Sequence, residues 1–594
     1  MGCAFLKSLS TLRKHSAESV DFADVISDQS KYLHVHRTIE DDLIALLEQA
    51  KQSTAKSLVF LCGSAGDGKS HMLSFLKNGE HSNLLDGFVI RNDATESYAP
   101  DKTAPETLAK ALAAFDDDHV GDGGSERMIV AINLGLLSRF LESDSGQSFT
   151  QLSNYVDNLG LLKTGLSNTG VSQQGPFWSI DFSDYQFFTI QNGVAQTDFV
   201  DTLLEKVFAQ VADNPFFSAK EKACANCGID TALCPVKHNF EFLTNDCVRK
   251  NISEMLVEIA LREKCVITAR AILDFVYEAL VSPEFDIERL VKRSAESPRD
   301  YAPEFLSMTT PQLLFASGDS TGLISKFSML DPMNDDTGWV DEVAATFRAS
   351  VDNIHGLFKG IENASYKEVL DSCAGFSVNA IANSESTSLD IKEAILCFSI
   401  RGAFLMDSCD KIREGLVKST WVAEFIQLIY DFNKGNDKEL SYLKKQLITK
   451  AIEDWNGDYP NKYSLVETYG DIQLLQKLSL SFGSYPISAI ESEMLSRFRP
   501  EVWINVTNKD KAYDDFVAFQ IDFNVFELLK KMESGYQPTL MDKTSFSGFE
   551  SSYRRLLSQG TKGTNVYVVR RSKGKQPFLE LQLDDNLEFS SEVI

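Results

Sequence analysis

The residues best placed to do chemistry form one glycine-rich stretch, Gly63-Ser64-Ala65-Gly66-Asp67-Gly68-Lys69-Ser70, which His71 follows directly. The stretch fits the pattern G-x-x-x-x-G-K-[ST] at every required position. Glycines allow successive backbone N–H groups to point inward and form a nest for phosphate oxygens. In this chemistry the Lys69 ammonium reaches the β- and γ-phosphates, and the Ser70 hydroxyl ligates Mg²⁺. The pattern predicts a site for ATP and Mg²⁺, with the loop residues and His71 in contact with the nucleotide.

Two regular elements must hold this loop in position. The apolar run "SLVFLC" at 57–62 predicts a buried strand before it, and a helix is expected to begin near Lys69. The amino end of such a helix adds its positive dipole to the phosphate site. The alternative interpretation, a chance match in a glycine-containing turn, does not account for this strand–loop–helix context.

Hydrolysis also needs a carboxylate for Mg²⁺, normally at the end of a neighbouring apolar strand. "FVIRND" ends in Asp93, with Glu96 three residues later, and "WSIDFSD" ends in Asp181 and Asp184. Asp93 is the first choice for the metal, and Glu96 is the candidate that polarises the attacking water. The alternative is that Asp93 and Glu96 only begin a turn, since Asp is a common turn residue.

The strand "MIVAIN" ends in Asn133 instead of a carboxylate. An amide in this position can orient the lytic water, and the alternative is a degenerate metal-binding strand. The water-orienting role is favoured because a neutral amide holds Mg²⁺ weakly, and Mg²⁺ prefers carboxylates.

Two arginines resemble residues of AAA+-like ATPases. "TARAILDFVYEAL" places Arg270 near the start of a helix, where that group has a lid arginine at the γ-phosphate. "VHRTIEDDL" resembles the group's entry segment, in which an arginine, here Arg37, lies near the adenine. The alternative for either residue is a solvated helix face, since an exposed arginine needs no special role.

Strands alternate with helices between 57 and 182, which favours a parallel, doubly wound sheet. The predicted fold is an α/β P-loop NTPase (AAA+-like) core with a Cys-rich insertion, a large mostly helical middle region and a small α+β C-terminal domain. The predicted boundaries are 1–36 for a helical lead-in, 37–200 for the core, 201–300 for the Cys-rich insertion and helical lid, 301–485 for the helical domain and 486–594 for the C-terminal domain.

Four of the ten cysteines cluster between 224 and 247. Cys224 and Cys227 are separated by two residues, the spacing of a zinc knuckle, and Cys234 follows after six more. His238 or Cys247 would complete a four-ligand structural Zn²⁺ site. Four independent buried thiols are the alternative interpretation.

Acidic residues outnumber basic ones, 85 to 58, so the net charge is −27. DNA is a dense polyanion, so direct binding needs a locally basic face. Such a reversal occurs near the carboxyl end, at Arg554, Arg555, Lys562, Arg570, Arg571, Lys573 and Lys575. This segment would contact DNA or an acidic partner, or it is a solvated hairpin edge protected by charge.

No apolar run approaches the about 20 residues of a membrane-spanning helix. The amino-terminal "MGCAFLKSLSTLRKHS" lacks the apolar core of a signal peptide. These features predict a cytoplasmic location and no membrane partner.

Several stretches together resemble the DptF family of DNA phosphorothioation-dependent restriction proteins from the Dnd (Dpt) systems. They are "YLHVHRTIEDDLIALLEQA", "LCGSAGDGKSHML", "IRNDATESYAPDKTAPETLAKAL", "AINLGLLSRFLE", "CPVKHNF" and "SGYQPTLMDK". The resemblance implies an ATPase subunit that acts with the companion proteins DptG and DptH in bacterial defence against DNA lacking the sulfur-modified backbone. A nuclease constellation is not evident in the chain, so cutting is expected of a partner.

Two other functions are compatible with the loop. One is a nucleotide-dependent switch or scaffold module with little turnover, which the Asn133 position favours. The other is a small-molecule phosphotransferase, which the size of the helical and terminal regions disfavours.

Overall fold

The computed structural model describes most of the chain. The residues it describes are 3–18, 27–64, 66–91, 103–159, 171–227, 234–296, 298–316, 322–334, 340–341, 344–345, 389–406, 418–457, 459, 463–508, 516–559, 565–583 and 588–594. They fall into two compact units. The first comprises residues 1–189, 196–260 and 265–419, and the second comprises 190–195, 261–264 and 420–594.

The first unit begins with helices and then builds a five-stranded sheet. Its first elements are α1 (Ala4–Glu18), α2 (Asp28–Leu33), α3 (Thr38–Gln52), β1 (Ser57–Cys62), α4 (Lys69–Asn78), β2 (Phe88–Arg91), α5 (Ala104–Ala111), β3 (Arg127–Ile132), α6 (Leu134–Glu142), α7 (Thr150–Leu159), β4 (Val171–Gln174) and β5 (Phe177–Asp181). Short 3-10 helices lie at Ser82–Leu85, Ala113–Phe115, Asp144–Gly146 and Phe182–Asp184. The segments "SLVFLC", "FVIRND", "MIVAIN" and "WSIDFSD" overlap strands at 57–62, 88–91, 127–132 and 177–181.

The sheet has the order β2-β3-β1-β5-β4. β1 runs parallel to both β3 and β5, β2 runs parallel to β3, and β4 is an antiparallel edge strand. The carboxyl ends of β1, β3 and β5 therefore meet at one edge. In an open α/β sheet this edge is where ligands bind.

Helices cover both faces of the sheet, and every residue of β1 is therefore buried. Val59 and Leu61 face a core that α3 and α4 complete, with Leu43 and Leu73 among its members. The alternate residues of β1 face a second core with α5, α6 and α7. A strand buried on both sides reads as a continuous apolar run, which is why the sequence located β1 so clearly.

Helices make up most of the remaining first unit. They are α8 (Asp198–Phe208), α9 (Pro215–Ala225), α10 (Pro235–Leu243), α11 (Asp246–Glu263), α12 (Ala269–Leu280), α13 (Ile287–Glu296), α14 (Pro298–Ser307), α15 (Thr310–Phe315) and α16 (Leu389–Met406). Further 3-10 helices lie at Ile324–Leu330 and Pro332–Asn334. A buried ion pair joins Arg401 of α16 to Asp331, with Nη2–Oδ2 2.6 Å apart, and Gln312 accepts from the same guanidinium.

The second unit combines helices with antiparallel sheets. Its elements include α17 (Lys418–Asn433), a π-helical turn (Leu443–Ile448), α18 (Thr449–Asp454), α19 (Phe523–Glu533), α20 (Leu540–Ser545), α21 (Ser547–Ser558) and a 3-10 helix (Arg571–Lys573). The strand β6 (Tyr185–Gln191) lies mainly in the first unit. The later strands are β7 (Val194–Gln196), β8 (Tyr463–Tyr469), β9 (Ile472–Lys477), β10 (Leu480–Gly483), β11 (Met494–Arg497), β12 (Val502–Asn508), β13 (Val517–Ile521), β14 (Val566–Arg570), β15 (Pro577–Leu583) and β16 (Phe589–Val593). One sheet has the order β16-β15-β14-β9-β8, and another has β10-β12-β13.

The strands β8 to β10 lie in a region that the sequence predicted to be mostly helical. A two-residue turn joins β8 to β9, and its first residue, Gly470, has a φ of 61°. Glycine adopts this conformation without strain, so the turn supports a hairpin.

Among the described residues, none of the helices is long and apolar enough to cross a membrane.

Candidate functional site

The glycine-rich loop lies at the carboxyl edge of the sheet, between β1 and α4. Gly66 and Gly68 have φ values of 91° and 96°, which a side chain would strain. Lys69 and Ser70 are the first residues of α4, so the positive end of the helix faces the loop. Ala65 lies outside the described residues.

The Lys69 ammonium lies across the loop. It donates hydrogen bonds to the carbonyl oxygens of Gly63, at 2.9 Å, and Ser64, at 2.6 Å. The loop therefore holds a positive charge beside the carbonyl oxygens of Gly63 and Ser64.

Asp67 supplies a negative charge to the same loop. Its carboxylate accepts a hydrogen bond from the Ser64 N–H group, and its side chain is buried. Burial raises the pKa of Asp67, and the nearby Asp181 raises it further, whereas Lys69 and Arg37 oppose the rise. These effects place Asp67 within electrostatic range of both cations and of the end of β5.

Arg37 is the last residue before α3, and it faces the interior of the first unit. Its Nη2 donates to the Tyr185 carbonyl at 3.3 Å, and its guanidinium carbon lies 5.0 Å from the centroid of the Phe199 ring. Burial lowers the pKa of Arg37, and the charge of Asp67 counteracts this. These contacts contradict the alternative of a solvated helix face.

Arg270 packs against the glycine-rich loop from α12. A Cβ atom built on Gly66 would lie 3.4 Å from the Cβ and Cδ atoms of Arg270 and 3.2 Å from Thr268 Oγ1. The Thr268 side chain caps α12 by accepting a hydrogen bond from the Ala271 N–H group. The Arg270 Nε atom is buried and, within the described part of the chain, has no hydrogen-bond partner. Its side chain therefore lies at the loop with a donor still available.

Two polar residues end the strands on either side of β1. Cys62 pairs in register with Ile132 and with Asp181, so Asn133 and Asp181 lie beside the start of the loop. The Asn133 Oδ1 atom caps α6 by accepting a hydrogen bond from the Gly135 N–H group, with 2.7 Å between oxygen and nitrogen. Asp93 and Glu96 lie outside the described residues, which stop at Arg91, the last residue of β2.

His71 connects α4 to the segment before α3. Its Nε2 atom is 3.1 Å from His34 Nδ1, and His34 Nε2 is 3.2 Å from Glu40 Oε2. The His34 ring also stacks on Phe75 at 3.5 Å between centroids. Burial alone would raise the pKa of Glu40, but the contact with His34 is the main cause that lowers it.

Sequence reasoning left four of these neighbours out of the site. Asp181 is not the carboxylate that the sequence predicts for Mg²⁺, although its position at the end of an apolar strand is a usable signal for that role. Thr268, His34 and Glu40 carry no pattern of their own, because only packing brings them near the loop or His71.

The cysteines of the predicted zinc site lie around α9 and α10. Cys224 and Cys234 are partly buried and Cys227 is exposed, while His238 is on α10 and Cys247 is on α11. Within the described residues, which lack 228–233 between Cys227 and Cys234, no group of three His, Cys, Asp or Glu side chains is arranged to hold a metal ion.

None of the protein-family models, curated proteins or solved structures compared with this chain matches it. The geometry of the loop edge is therefore the main guide to function.

Proposed function

We propose that this chain is an ATPase whose active site is the glycine-rich loop at the carboxyl edge of the parallel sheet. One observation carries the proposal: Arg270 packs against the loop that contains Lys69, and Arg37 lies within electrostatic range of Asp67 in the same loop. A triphosphate carries several negative charges, and a loop of backbone N–H groups with three cations around it suits such a ligand.

The roles of these residues follow from the chemistry of the loop pattern and from the likeness to AAA+-like ATPases. Lys69 would bind the β- and γ-phosphates, and the Ser70 hydroxyl would contribute to holding Mg²⁺, which supplies charge neutralisation when bound. Arg270, with its unpartnered buried Nε, would stabilise charge that develops on the transferred phosphoryl group. Asn133 would orient the attacking water, and Arg37 would lie on the adenine side.

The carboxylate assignments remain Asp93 for Mg²⁺ and Glu96 for the attacking water. The strand order supports a site in which β3, ending in Asn133, lies between the loop strand and β2, which leads to Asp93. Asp181 lies beside the loop strand on the other side, and its Oδ1 atom already accepts two hydrogen bonds from Ser183.

The resemblance to the DptF family extends this proposal to a biological role. The chain would be the cytoplasmic ATP-hydrolysing subunit of a bacterial phosphorothioation-dependent DNA restriction complex. It would act with DptG and DptH, using ATP to drive or gate action on unmodified DNA. A net charge of −27 makes contact with DNA through partners more favourable than direct contact.

A low-turnover nucleotide-dependent switch is the second candidate. The Asn133 amide favours it because the strand beside the loop ends without a carboxylate and its oxygen already caps α6. Such a module would bind ATP tightly and change its affinity for protein partners, with little hydrolysis.

The decisive experiment measures ATP turnover by the purified full-length chain, with and without duplex DNA, DptG and DptH. We expect Mg²⁺-dependent turnover that rises when the partners and unmodified DNA are present. Tight ATP binding with no turnover under any of these conditions would favour the switch. Failure to bind ATP at all would contradict both functions.

Asp67→Asn is expected to tighten ATP binding by about tenfold or less. The substitution keeps the shape of the side chain but removes a negative charge at the loop, and one unit charge about 4 Å from a phosphate is worth about 1 kcal/mol where water screens the pair. Isothermal titration calorimetry can measure the change, with the exposed Asp86→Asn as the matched control.

The pH dependence tests the same prediction. A bound polyanion favours the neutral form of Asp67, so binding is coupled to proton uptake. Burial already raises the pKa of Asp67. As pH falls through that pKa, Asp67 becomes neutral, so the ATP affinity of the wild type should approach that of the Asn variant. Weaker binding by Asp67→Asn at neutral pH would instead make the carboxylate a support for the loop.

A further inference from the structure

The structure divides the basic segment near the carboxyl end into separate parts. Arg554 and Arg555 lie on α21, where Arg554 forms an ion pair with Glu550, and Lys562 lies outside the described residues. Four exposed cations remain together at the connection between β14 and β15, and they are Arg570, Arg571, Lys573 and Lys575. Four positive charges within six residues are a sharp local reversal in a chain whose net charge is −27.

A second turn holds this connection in place. Asp471 lies in the turn between β8 and β9, and its carboxylate accepts hydrogen bonds from the N–H group of Ser572, at 2.7 Å, and from the Ser572 hydroxyl, at 2.6 Å. The Arg571 N–H group donates to the Asp471 carbonyl at 2.8 Å. The bonds from Ser572 are the main cause that lowers the pKa of Asp471, and the charges of the nearby arginines lower it further. We call residues 469–472 and 570–575 the basic tip, because these bonds join the two turns.

An aromatic, an aliphatic and a cationic side chain form a row across the sheet at the basic tip. Ile472 pairs in register with Tyr469 of β8 and with Arg570 of β14. Directly paired residues of antiparallel strands lie on the same face of the sheet. Tyr469 is 66% exposed and Ile472 is 42% exposed, and the Arg570 guanidinium carbon lies 5.1 Å from the centroid of the Phe578 ring. The row therefore presents an exposed aromatic ring and a positive charge on one face.

The cations of the basic tip do not protect a sheet edge. The sheet has the order β16-β15-β14-β9-β8, so its edges are β16 and β8, and β14 is the central strand. Charges that prevent pairing between sheets lie on edge strands, whereas Arg570 ends the central strand and Arg571 and Lys573 lie in the turn that follows it. A hairpin edge protected by charge therefore does not explain their position.

Local charge decides what can approach the basic tip. Its four cations and one carboxylate, Asp471, give a net charge of +3 (four minus one). At physiological ionic strength salt screens charges beyond about 8 Å, so the acidic residues elsewhere in the chain oppose a polyanion less than the tip attracts it. Glu467, two residues before Tyr469 on β8, is exposed, so a phosphate is more favourable on the side of Arg571 and Lys573.

Nucleic acid supplies what both parts of the basic tip can bind. Its phosphates are spaced along a strand and suit a group of lysines and arginines, and an unpaired base can stack on an exposed aromatic ring. An acidic protein segment would use the cations and leave Tyr469 without a role. A duplex keeps its bases stacked on one another, so a base can reach Tyr469 only from a single strand.

We propose that the basic tip binds single-stranded DNA, with Arg571, Lys573 and Lys575 at the phosphates and Tyr469 against a base. Arg570 extends the positive surface beside that base. The choice of DNA over RNA rests on the proposed function in DNA restriction, but the contact itself does not depend on ATP or on the glycine-rich loop. This chain then holds a separated strand directly, in addition to contacts made through its partners.

The test measures binding of the full-length chain to a fluorescein-labelled oligothymidine of about 20 nucleotides, which is longer than the site of one small binding domain. Fluorescence anisotropy is recorded without nucleotide over a range of salt concentrations. About three phosphate contacts predict a slope of about −2 for log K against log salt. Wild-type protein that does not bind the strand at low salt would overturn the proposal.

Arg571→Ala/Lys573→Ala removes two of the phosphate contacts. We expect about tenfold weaker binding at low salt and a slope that is shallower by about 1.4. Arg554→Ala/Arg555→Ala is the matched control, because it removes the same charge from exposed positions on α21 and should leave the affinity and the slope nearly unchanged. An equal loss in the control would attribute binding to net charge and contradict the assignment to the basic tip.

Tyr469→Ala tests the stacking contact. Single-strand binding should weaken by about tenfold, whereas binding of the same oligonucleotide in a duplex should be nearly unchanged, and Tyr469→Phe should retain wild-type affinity. Equal effects of Tyr469→Ala on both forms, or none on either, would contradict the stacking role. Oligouridine bound more tightly than oligothymidine would overturn the choice of DNA, and oligoglutamate bound as tightly as the strand would indicate an acidic protein partner instead.

A measurement on the wild type does not depend on the variants folding. Ultraviolet crosslinking to oligothymidine, followed by mass spectrometry, should modify peptides that contain Tyr469 or the segment 570–575. Crosslinks confined to other parts of the chain would reject this site. Because ATP is absent from these measurements, failure to bind the strand leaves the proposed ATPase unchanged, and a chain that binds the strand without hydrolysing ATP would reject the ATPase proposal alone.

Discussion

Lys69→Ala is expected to reduce ATP turnover by at least about 1000-fold, because it removes the cation that would neutralise the β- and γ-phosphates. In the structure the Lys69 ammonium donates to the Gly63 and Ser64 carbonyls, so it is already held at the loop. Alanine can neither supply this charge nor reach the phosphates. We expect ATP affinity to fall as well, since the contact also exists in the ground state.

Steady-state turnover and calorimetric ATP binding measure the two effects separately. Lys110→Ala is a suitable control because Lys110 is an exposed lysine in the last turn of α5. Circular dichroism and thermal unfolding should be nearly the same for both variants and the wild type. Undiminished turnover by Lys69→Ala would place hydrolysis at another site and reject the proposed function.

Arg270→Ala is expected to lower kcat by about 100- to 1000-fold while changing ATP affinity much less. The side chain packs on Gly66, and its buried Nε has no hydrogen-bond partner in the described part of the chain. A donor in this position is most valuable when charge develops during phosphoryl transfer. The loss should therefore appear in kcat and kcat/KM more than in binding.

Single-turnover kinetics measure the effect of the substitution on the chemical step, and ATP titrations measure its effect on binding. Arg139→Ala is the control, because Arg139 is an exposed arginine near the end of α6. Arg270→Lys should recover part of the activity, since it retains the charge but loses the planar group. Equal losses in ATP affinity and kcat/KM, with kcat preserved, would instead make Arg270 a ground-state binding residue.

The local sequence predicted the core elements well where burial leaves a clear pattern. β1, β3 and β5 are apolar runs at the predicted positions, because strands covered on both faces have few polar residues. The strands β8 to β10 were not predicted, since short, partly exposed hairpins alternate weakly and the preceding region is helical.

The residues of the candidate site also fall into two groups, those that the local sequence identified and those that only the tertiary structure brought to the loop. The loop pattern identified Lys69 and Ser70, because glycines at fixed spacing and a lysine before a helix reflect local backbone requirements. Arg37 and Arg270 were identified through their likeness to AAA+-like segments, and only the structure places them by the loop. The carboxylates Asp93 and Glu96 remain predictions outside the described residues.

The sequence by itself determined the glycine-rich loop and the strand and helix that hold it, since these depend on φ preferences and periodic burial within about 20 residues. The tertiary structure decided which distant side chains join them. It placed Arg270 against Gly66 and Asp181 beside the loop strand. Such contacts result from helices burying apolar faces against one another, and that packing leaves no local trace at the polar residues it brings together.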